Sequence, residues 1–154
     1  YIRLGRAKVP VIYDSNSFKF EIGKGIELKD GNDITIIATG IMVDKALKAR
    51  QALKEEGIAT KVIDMHTIKP IDKELILKAA RQTGAIVTAE EHNIIGGLGS
   101  AVAEVLVENQ PVPMKRVGVK DTFGESGTGD ALIKKYGLTE ADIAQAAREV
   151  LKLK

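Results

Sequence analysis

Four apolar runs of strand length, each followed by a stretch of helix length, constrain this chain more than any other feature of its sequence. The runs are Ile34-Thr35-Ile36-Ile37-Ala38, Ala59-Thr60-Lys61-Val62-Ile63-Asp64, Ala85-Ile86-Val87-Thr88-Ala89 and Lys115-Arg116-Val117-Gly118-Val119. Candidate helices lie between and after them, at about 42–56, 72–83, 98–109, 128–136 and 140–152. Such alternation predicts an α/β fold, with helices on both faces of a mostly parallel sheet. The first and third runs are nearly all apolar or β-branched, as strands covered on both faces must be, which puts them at the centre. In the last helix Thr139 and Asp142 have capping-box spacing, and Ile143, Ala146, Ala147, Val150 and Leu151 recur on one helical face. Gly57, Gly84 and Gly137 each follow a helical pattern, where a left-handed cap suits glycine. Ile26-Glu27-Leu28 is polar enough for an edge strand; paired with the first run through the turn Asp30-Gly31-Asn32-Asp33, it runs antiparallel.

The 154 residues are 44% hydrophobic, enough for the core of one ordinary domain. Lys and Arg number 23 against 21 Asp and Glu, a formal net charge of +2, and the basic residues are scattered rather than gathered into a stripe. Nucleic-acid binding gains no support from that distribution. The absence of cysteine excludes a disulfide scaffold, a cysteine zinc site, an iron–sulfur cluster and a thiol nucleophile, and makes a reducing, cytoplasmic compartment the expectation. No apolar run approaches the roughly 18 residues that span a bilayer, so a soluble protein without a membrane partner is expected. The chain opens on Tyr1-Ile2-Arg3-Leu4 rather than Met, as if cut from something longer. Residues 1 to 25, with Gly5, Pro10, Gly23, Gly25 and the polar cluster Asp14-Ser15-Asn16-Ser17, read as a strand end and a linker.

Ligands of open α/β sheets gather outside the carboxyl ends of the strands, so the loops that follow the four runs are where chemistry is expected. Thr39-Gly40-Ile41-Met42 reads as a tight turn into a helix. In Met65-His66-Thr67-Ile68-Lys69-Pro70-Ile71-Asp72, Pro70 disfavours helix at Lys69 and Asp72 suits the cap of the next helix. His66 has no nucleophile near it and reads as a satisfied loop histidine rather than a general base. The richest loop is Glu90-Glu91-His92-Asn93-Ile94-Ile95-Gly96-Gly97-Leu98-Gly99-Ser100, whose glycines let the backbone pass close to something at a helix N-terminus, where an anion is favoured. A dinucleotide fingerprint fails there: counted from Gly97, its third place falls on Val102, and several residues separate the glycines from the strand. With two His in the chain and no helix-spaced ligand pair, a metal site is disfavoured. Close packing is expected instead, within the chain or against a partner, with Glu91, His92, Gly96, Gly97 and Gly99 as interface or loop candidates. The loop from Lys120 to Asp130 lacks the Gly-Lys-Ser/Thr ending of a phosphate-binding loop, and Phe123 is expected to anchor it. Arg6 belongs to no core element. It is either a solvated arginine near a chain end or a guanidinium at a strand end, suited to a bidentate grip on phosphate or carboxylate.

Asp33-Ile34-Thr35-Ile36-Ile37-Ala38-Thr39-Gly40, Thr67-Ile68-Lys69-Pro70-Ile71-Asp72, Glu90-Glu91-His92 with Gly96-Gly97-Leu98-Gly99, and Phe123-Gly124-Glu125-Ser126-Gly127 follow one another in that order. Together with Ile2-Arg3-Leu4-Gly5-Arg6 they resemble the C-terminal domain of transketolase and its thiamine-diphosphate-dependent relatives, most nearly the C-terminal section of split-type transketolases, over almost the whole chain. The resemblance implies a three-layer α/β/α domain over 26–154, with a five-stranded mixed sheet whose first strand is antiparallel. Over 1–25 it implies the end of a pyrimidine-binding domain and a linker. The parent enzyme it implies moves a two-carbon ketol unit between sugar phosphates, as a cytoplasmic homodimer, with thiamine diphosphate and magnesium held by its N-terminal half. The family's Gly-Asp-Gly metal motif and the segment bearing its activating glutamate are absent from this sequence. No catalytic residue, cofactor or metal is therefore expected on this chain, which would be inactive alone, helping dimer assembly and bordering the substrate channel. By the same resemblance Arg6 matches the arginine that grips the substrate phosphate, and Arg3 would face the other way along the strand. Two rivals stand beside this reading. One is a deoxyxylulose-phosphate synthase or the beta subunit of a 2-oxoacid dehydrogenase, which share the domain; the other is a stand-alone module that holds a nucleotide or anion at the 90–100 loop.

Overall fold

Burial follows the apolar runs. The computed structural model describes residues 1–5, 8–14, 16 and 18–154. Ile34–Ala38 (β2) and Thr60–Asp64 (β3) are buried at every position, and Ile86–Asn93 (β4) is buried as far as Glu90. Ile26–Lys29 (β1) and Met114–Val119 (β5) are partly open, as edge strands are. The strands form one sheet in the order β1-β3-β2-β4-β5, with β1 antiparallel to β3 and every other pair parallel. The helices are Met42–Glu55 (α1), Lys73–Thr83 (α2), Leu98–Asn109 (α3), Gly129–Lys135 (α4) and Glu140–Leu151 (α5). The mixed sheet, its antiparallel first strand and the central places of β2 and β4 are as the sequence predicts.

Successive strand residues face opposite sides of a sheet, so β2 divides its apolar side chains between two cores. Ile34, Ile36 and Ala38 cluster with Met42, Ala46 and Leu53 of α1 and with Ile143, Ala147 and Val150 of α5. Ile37, with Ile63 and Ile86, clusters with Ile76 and Ala80 of α2 and with Leu98, Val102 and Leu106 of α3. Each fully buried aliphatic side chain contributes on the order of 1.5–3 kcal/mol, and these two layers hold the sandwich together. The capping box that starts α5 is present, with Thr139 N donating to Asp142 Oδ2 at 2.9 Å and Asp142 N to Thr139 Oγ1 at 3.3 Å. Helix α4 buries no residue.

The turn after β1 is a crossover and not a hairpin. From Lys29 the chain passes over the start of β3, and β2 lies on the far side of β3 from β1. Gly31 permits the crossing, because a Cβ there would lie 2.4 Å from the carbonyl carbon of Thr60 and 2.6 Å from Lys61 N. Asp33 fastens it: its N donates to the Ala59 carbonyl at 2.9 Å and its Oδ2 accepts from Ala59 N at 2.7 Å. Lys61, with its side chain 1% exposed, sets its ammonium between Glu27 at 2.9 Å and Asp30 at 2.6 Å, which ties β1 to its neighbour. Residues 1–5 form no strand; among the described residues no strand lies beside them to take up their backbone hydrogen bonds.

The parallel register sets Ala38 opposite Asp64 and opposite Ala89. The segments that leave β2, β3 and β4 therefore emerge side by side on one edge of the sheet.

Candidate functional site

Helix α3 begins on Gly97, which has no side chain with which to cap it, yet the first N–H groups of a helix need acceptors. Glu90 supplies them from the end of β4. It is 1% exposed, and its Oε2 accepts from Leu98 N at 2.7 Å and its Oε1 from Gly99 N at 2.8 Å. A Cβ on Gly97 would lie 2.0 Å from Glu90 Oε2, and one on Gly99 would lie 2.7 Å from Arg116 Cδ and 2.9 Å from Thr88 Oγ1. Gly97 and Gly99 are thus packing positions inside the chain, where the protein's own carboxylate and arginine approach the backbone. The positive end of α3 already holds an internal anion, which takes away the site on which a stand-alone nucleotide or anion module would depend. Glu90 is the functional-edge residue that sequence reasoning passed over. The available signal was a helix start with glycine at its N-cap and an acid a few residues earlier.

Pairing between β4 and β5 is irregular from Ala89 to Asn93, and the irregularity leaves Glu91 and His92 both exposed. His92 Nδ1 lies 3.0 Å from the Asn93 carbonyl. Arg3 Nη1 donates to the Glu91 carbonyl at 3.0 Å, and its Nη2 lies 3.9 Å from Glu91 Oε2. Gly96 has a left-handed φ of +75° and donates its N–H to Ser100 Oγ at 2.9 Å, closing the turn.

At the end of β3 the tertiary structure gathers a cluster with no sequence motif. Asp64, 7% exposed, accepts a 2.5 Å hydrogen bond at Oδ2 from the hydroxyl of Tyr13, while its Oδ1 is buried with no partner among the described residues. Burial pushes the Asp64 carboxyl above the usual carboxylate range, against the opposing pull of the Tyr13 hydrogen bond and of His66. Burial, reinforced by Asp64, also pushes the Tyr13 hydroxyl up. His66 Nδ1 lies 2.8 Å from Thr67 Oγ1, but its Nε2 is buried without a partner among the described residues. Among the described residues, the expected satisfied histidine is therefore satisfied at one nitrogen; Phe20, whose ring stacks on it at 4.6 Å, offers no hydrogen bond. Tyr13 in turn stacks on Phe18 at 4.2 Å. Asp72 caps α2 through Leu75 N at 3.1 Å, as expected, and with its other oxygen accepts from Gly25 N at 3.1 Å. Tyr13, Phe20 and Gly25 thus lie against the carboxyl end of β3 and the loop that follows it.

Arg6, the expected phosphate ligand, lies outside the described residues. Phe123 does not anchor its loop: it is 97% exposed, since the neighbouring α4 buries nothing that could cover it. The loop is held instead by the Tyr136 hydroxyl, which donates to the Phe123 carbonyl at 3.1 Å, and by Lys135 against Glu125 at 2.5 Å. Among the described residues no group of three or more His, Cys, Asp or Glu converges on a metal position. With the glycine-rich helix start filled from within, these residues do not fit a diphosphate and its metal.

A parallel sheet with one antiparallel edge strand, covered by helices on both faces and carrying its loop cluster at the carboxyl edge, defines a three-layer α/β/α domain of the open-sheet class. Residues 23–143 match the family described as the transketolase C-terminal domain, and the chain belongs to that family. It is 52% identical over 154 residues to a 6-deoxy-6-sulfo-D-fructose transketolase subunit of Clostridium sp. (strain MSTE9), a similarity that covers 100% of this chain and 48% of that protein. It is 43% identical over 143 residues to a 1-deoxy-D-xylulose-5-phosphate synthase of Heliobacterium modesticaldum, covering 92% of this chain and 22% of that one. A solved structure described as a split gene transketolase, inactive beta4 tetramer, is similar with a TM-score of 0.96 and 56% identity, over 100% of this chain and 50% of that chain. The chain spans about half the length of the transketolase relatives it matches. Among the described residues no helix is long and apolar enough to cross a membrane.

Proposed function

We propose that this chain is the C-terminal part of a split-type transketolase, a cytoplasmic enzyme that transfers a two-carbon ketol unit between sugar phosphates. The observation that carries this reading is the similarity, in sequence and in fold, along the whole of this chain to half of a split gene transketolase. Residues 26–154 form the C-terminal domain; residues 1–25 are the end of the preceding pyrimidine-binding domain and the linker from it. Thiamine diphosphate, bound with magnesium by the preceding parts of the enzyme, supplies the electron sink for ketol transfer. This chain contributes dimer contacts, one wall of the substrate channel and the Arg6 guanidinium, whose planar fork suits the phosphate of the sugar.

Reconstitution tests the reading. Calorimetry of the isolated chain with thiamine diphosphate and magnesium is expected to give no tight binding, and ketol transfer from a ketose phosphate is expected only when the rest of the parent enzyme is supplied. Turnover of sugar phosphates by the isolated chain would overturn it. The similarity to a deoxyxylulose-phosphate synthase supports a second reading, which is favoured if the reconstituted enzyme takes pyruvate as donor and leaves the ketose phosphate untouched.

A further inference from the structure

The segment from Lys120 to Ala131 is exposed without a break. It includes Phe123, 97% exposed, and the start of α4, a helix that buries no residue. A helix of seven residues gains little from its own hydrogen bonds and depends on packing. Of the described residues in α4, Ile133 alone packs against a core. The backbone is nevertheless held at several places. Asn93 Nδ2 donates to Asp121 Oδ1 at 2.8 Å, the Tyr136 hydroxyl donates to the Phe123 carbonyl at 3.1 Å, and Thr128 Oγ1 accepts from Ala131 N at 3.4 Å. Polar ties thus fix a main chain that leaves a phenyl ring in solvent.

Asn93 couples this segment to the loop after β4. While its amide nitrogen reaches Asp121, its Oδ1 accepts from Ile95 N at 2.8 Å. Ile95, 61% exposed, therefore stands two residues beyond the tie on one loop, as Phe123 does on the other. The first residues of the chain come to the same corner of the sheet. Arg3 donates to the Glu91 carbonyl at 3.0 Å, at the end of β4 and beside β5, and Ile2 and Leu4 on either side of it are exposed. On the proposed function these residues end the preceding domain, which is thereby brought to the carboxyl ends of β4 and β5. A second copy of this chain fits the segment less well. Across a two-fold axis its acids, Asp121, Glu125 and Asp130 against the one base Lys120, would meet their own kind.

We propose that Phe123 and Ile95 form a docking surface for the domain that precedes this one in the parent enzyme, and that the Phe123 ring fills an apolar pocket of that domain. This inference rests on the proposed function, which supplies the preceding domain. A buried aromatic anchor of this kind carries much of the energy of an interface, and the covering domain then supplies the packing that α4 does not find in its own.

The test uses the assembled parent enzyme with the photo-crosslinking residue p-benzoylphenylalanine in place of Phe123. Mass-spectrometric mapping is expected to find its crosslinks in the preceding domain. Crosslinks confined to a second copy of this chain or to any other part of the assembly, or none at all, would overturn the proposal. Phe123→Ala is expected to lower the melting temperature of the assembled enzyme by about 5 °C, since a ring 97% exposed in its own domain has its contacts to lose elsewhere. An unchanged melting temperature would likewise overturn it. Donor preference reports on the functional reading separately: an enzyme that takes pyruvate and leaves the ketose phosphate untouched defeats that reading, while the crosslinks still decide the surface.

Discussion

Glu90, Glu91 and His92 are consecutive and chemically suggestive, yet the fold gives each a different task. Glu90 turns inward and caps α3, Glu91 meets Arg3 at the surface, and His92 rests against the carbonyl of its neighbour. Replacing Glu90 by Ala removes two charge-assisted bonds from buried N–H groups, and urea unfolding is expected to show a loss of about 2–4 kcal/mol. A midpoint equal to that of the wild type would mean that water caps the helix equally well. Asp64 is the opposite case, a carboxylate whose burial raises its pKa on folding. The unfavourable contribution is absent below the ordinary carboxylate range, where the group is protonated in both states. It grows as pH rises toward the elevated native pKa, and is complete above it. Asp64→Asn is therefore expected to gain stability relative to the wild type as pH is raised from about 3 to neutrality, as measured by unfolding midpoints. A difference that stays constant over that range would refute the assignment.

Among the elements, the crossover between β1 and β2 is the one whose form the local sequence misrepresents. Asp30-Gly31-Asn32-Asp33 has the composition of a hairpin turn, but Gly31 is present because the backbone of β3 passes beneath it. Gly31→Ala would drive a methyl group into main-chain atoms that cannot move without disturbing the sheet, and a loss above about 3 kcal/mol is expected. Gly40, with a left-handed φ of +58° and open space around it, supplies the contrast: Gly40→Ala is expected to cost about 1 kcal/mol, from backbone conformation alone. If thermal melts rank the two substitutions the other way, close approach is not what selects glycine in the crossover. At the start of α5, Thr139→Ala removes an acceptor from Asp142 N and is expected to cost about 1 kcal/mol by the same measurement.

For the molecule as a whole, the two cores close around the sheet, while several apolar side chains of the N-terminal segment stay exposed. Tyr1, Ile2, Leu4, Val9, Val11 and Ile22 are all exposed, within a chain that spans about half of its transketolase relatives. A run of exposed apolar side chains of this extent marks an interaction surface. On the proposed function, a preceding domain of the assembled enzyme covers these residues. Hydrogen exchange across residues 1–12 is then expected to slow on assembly, and the fluorescence of a hydrophobic dye bound to the isolated chain to fall. Unchanged exchange over that segment would place the covering surface elsewhere.

The alternation of apolar runs with amphipathic stretches was sufficient for the layers, the central strands and the helix ends, because periodicity and caps are local properties and burial only ratifies them. Asp72 and the Thr139–Asp142 box were legible on the same ground. The partner of β1, the inward turn of Glu90, the exposed ring of Phe123 and the meeting of Tyr13 with Asp64 were not legible. Each depends on which surface arrives from a distant part of the chain, as with Tyr13 and Asp64, which lie 51 residues apart. Sequence pattern determines which face of an element is apolar; only tertiary packing decides what a polar group finds there, because a hydrogen bond depends on distance and angle, and spacing along the chain encodes neither.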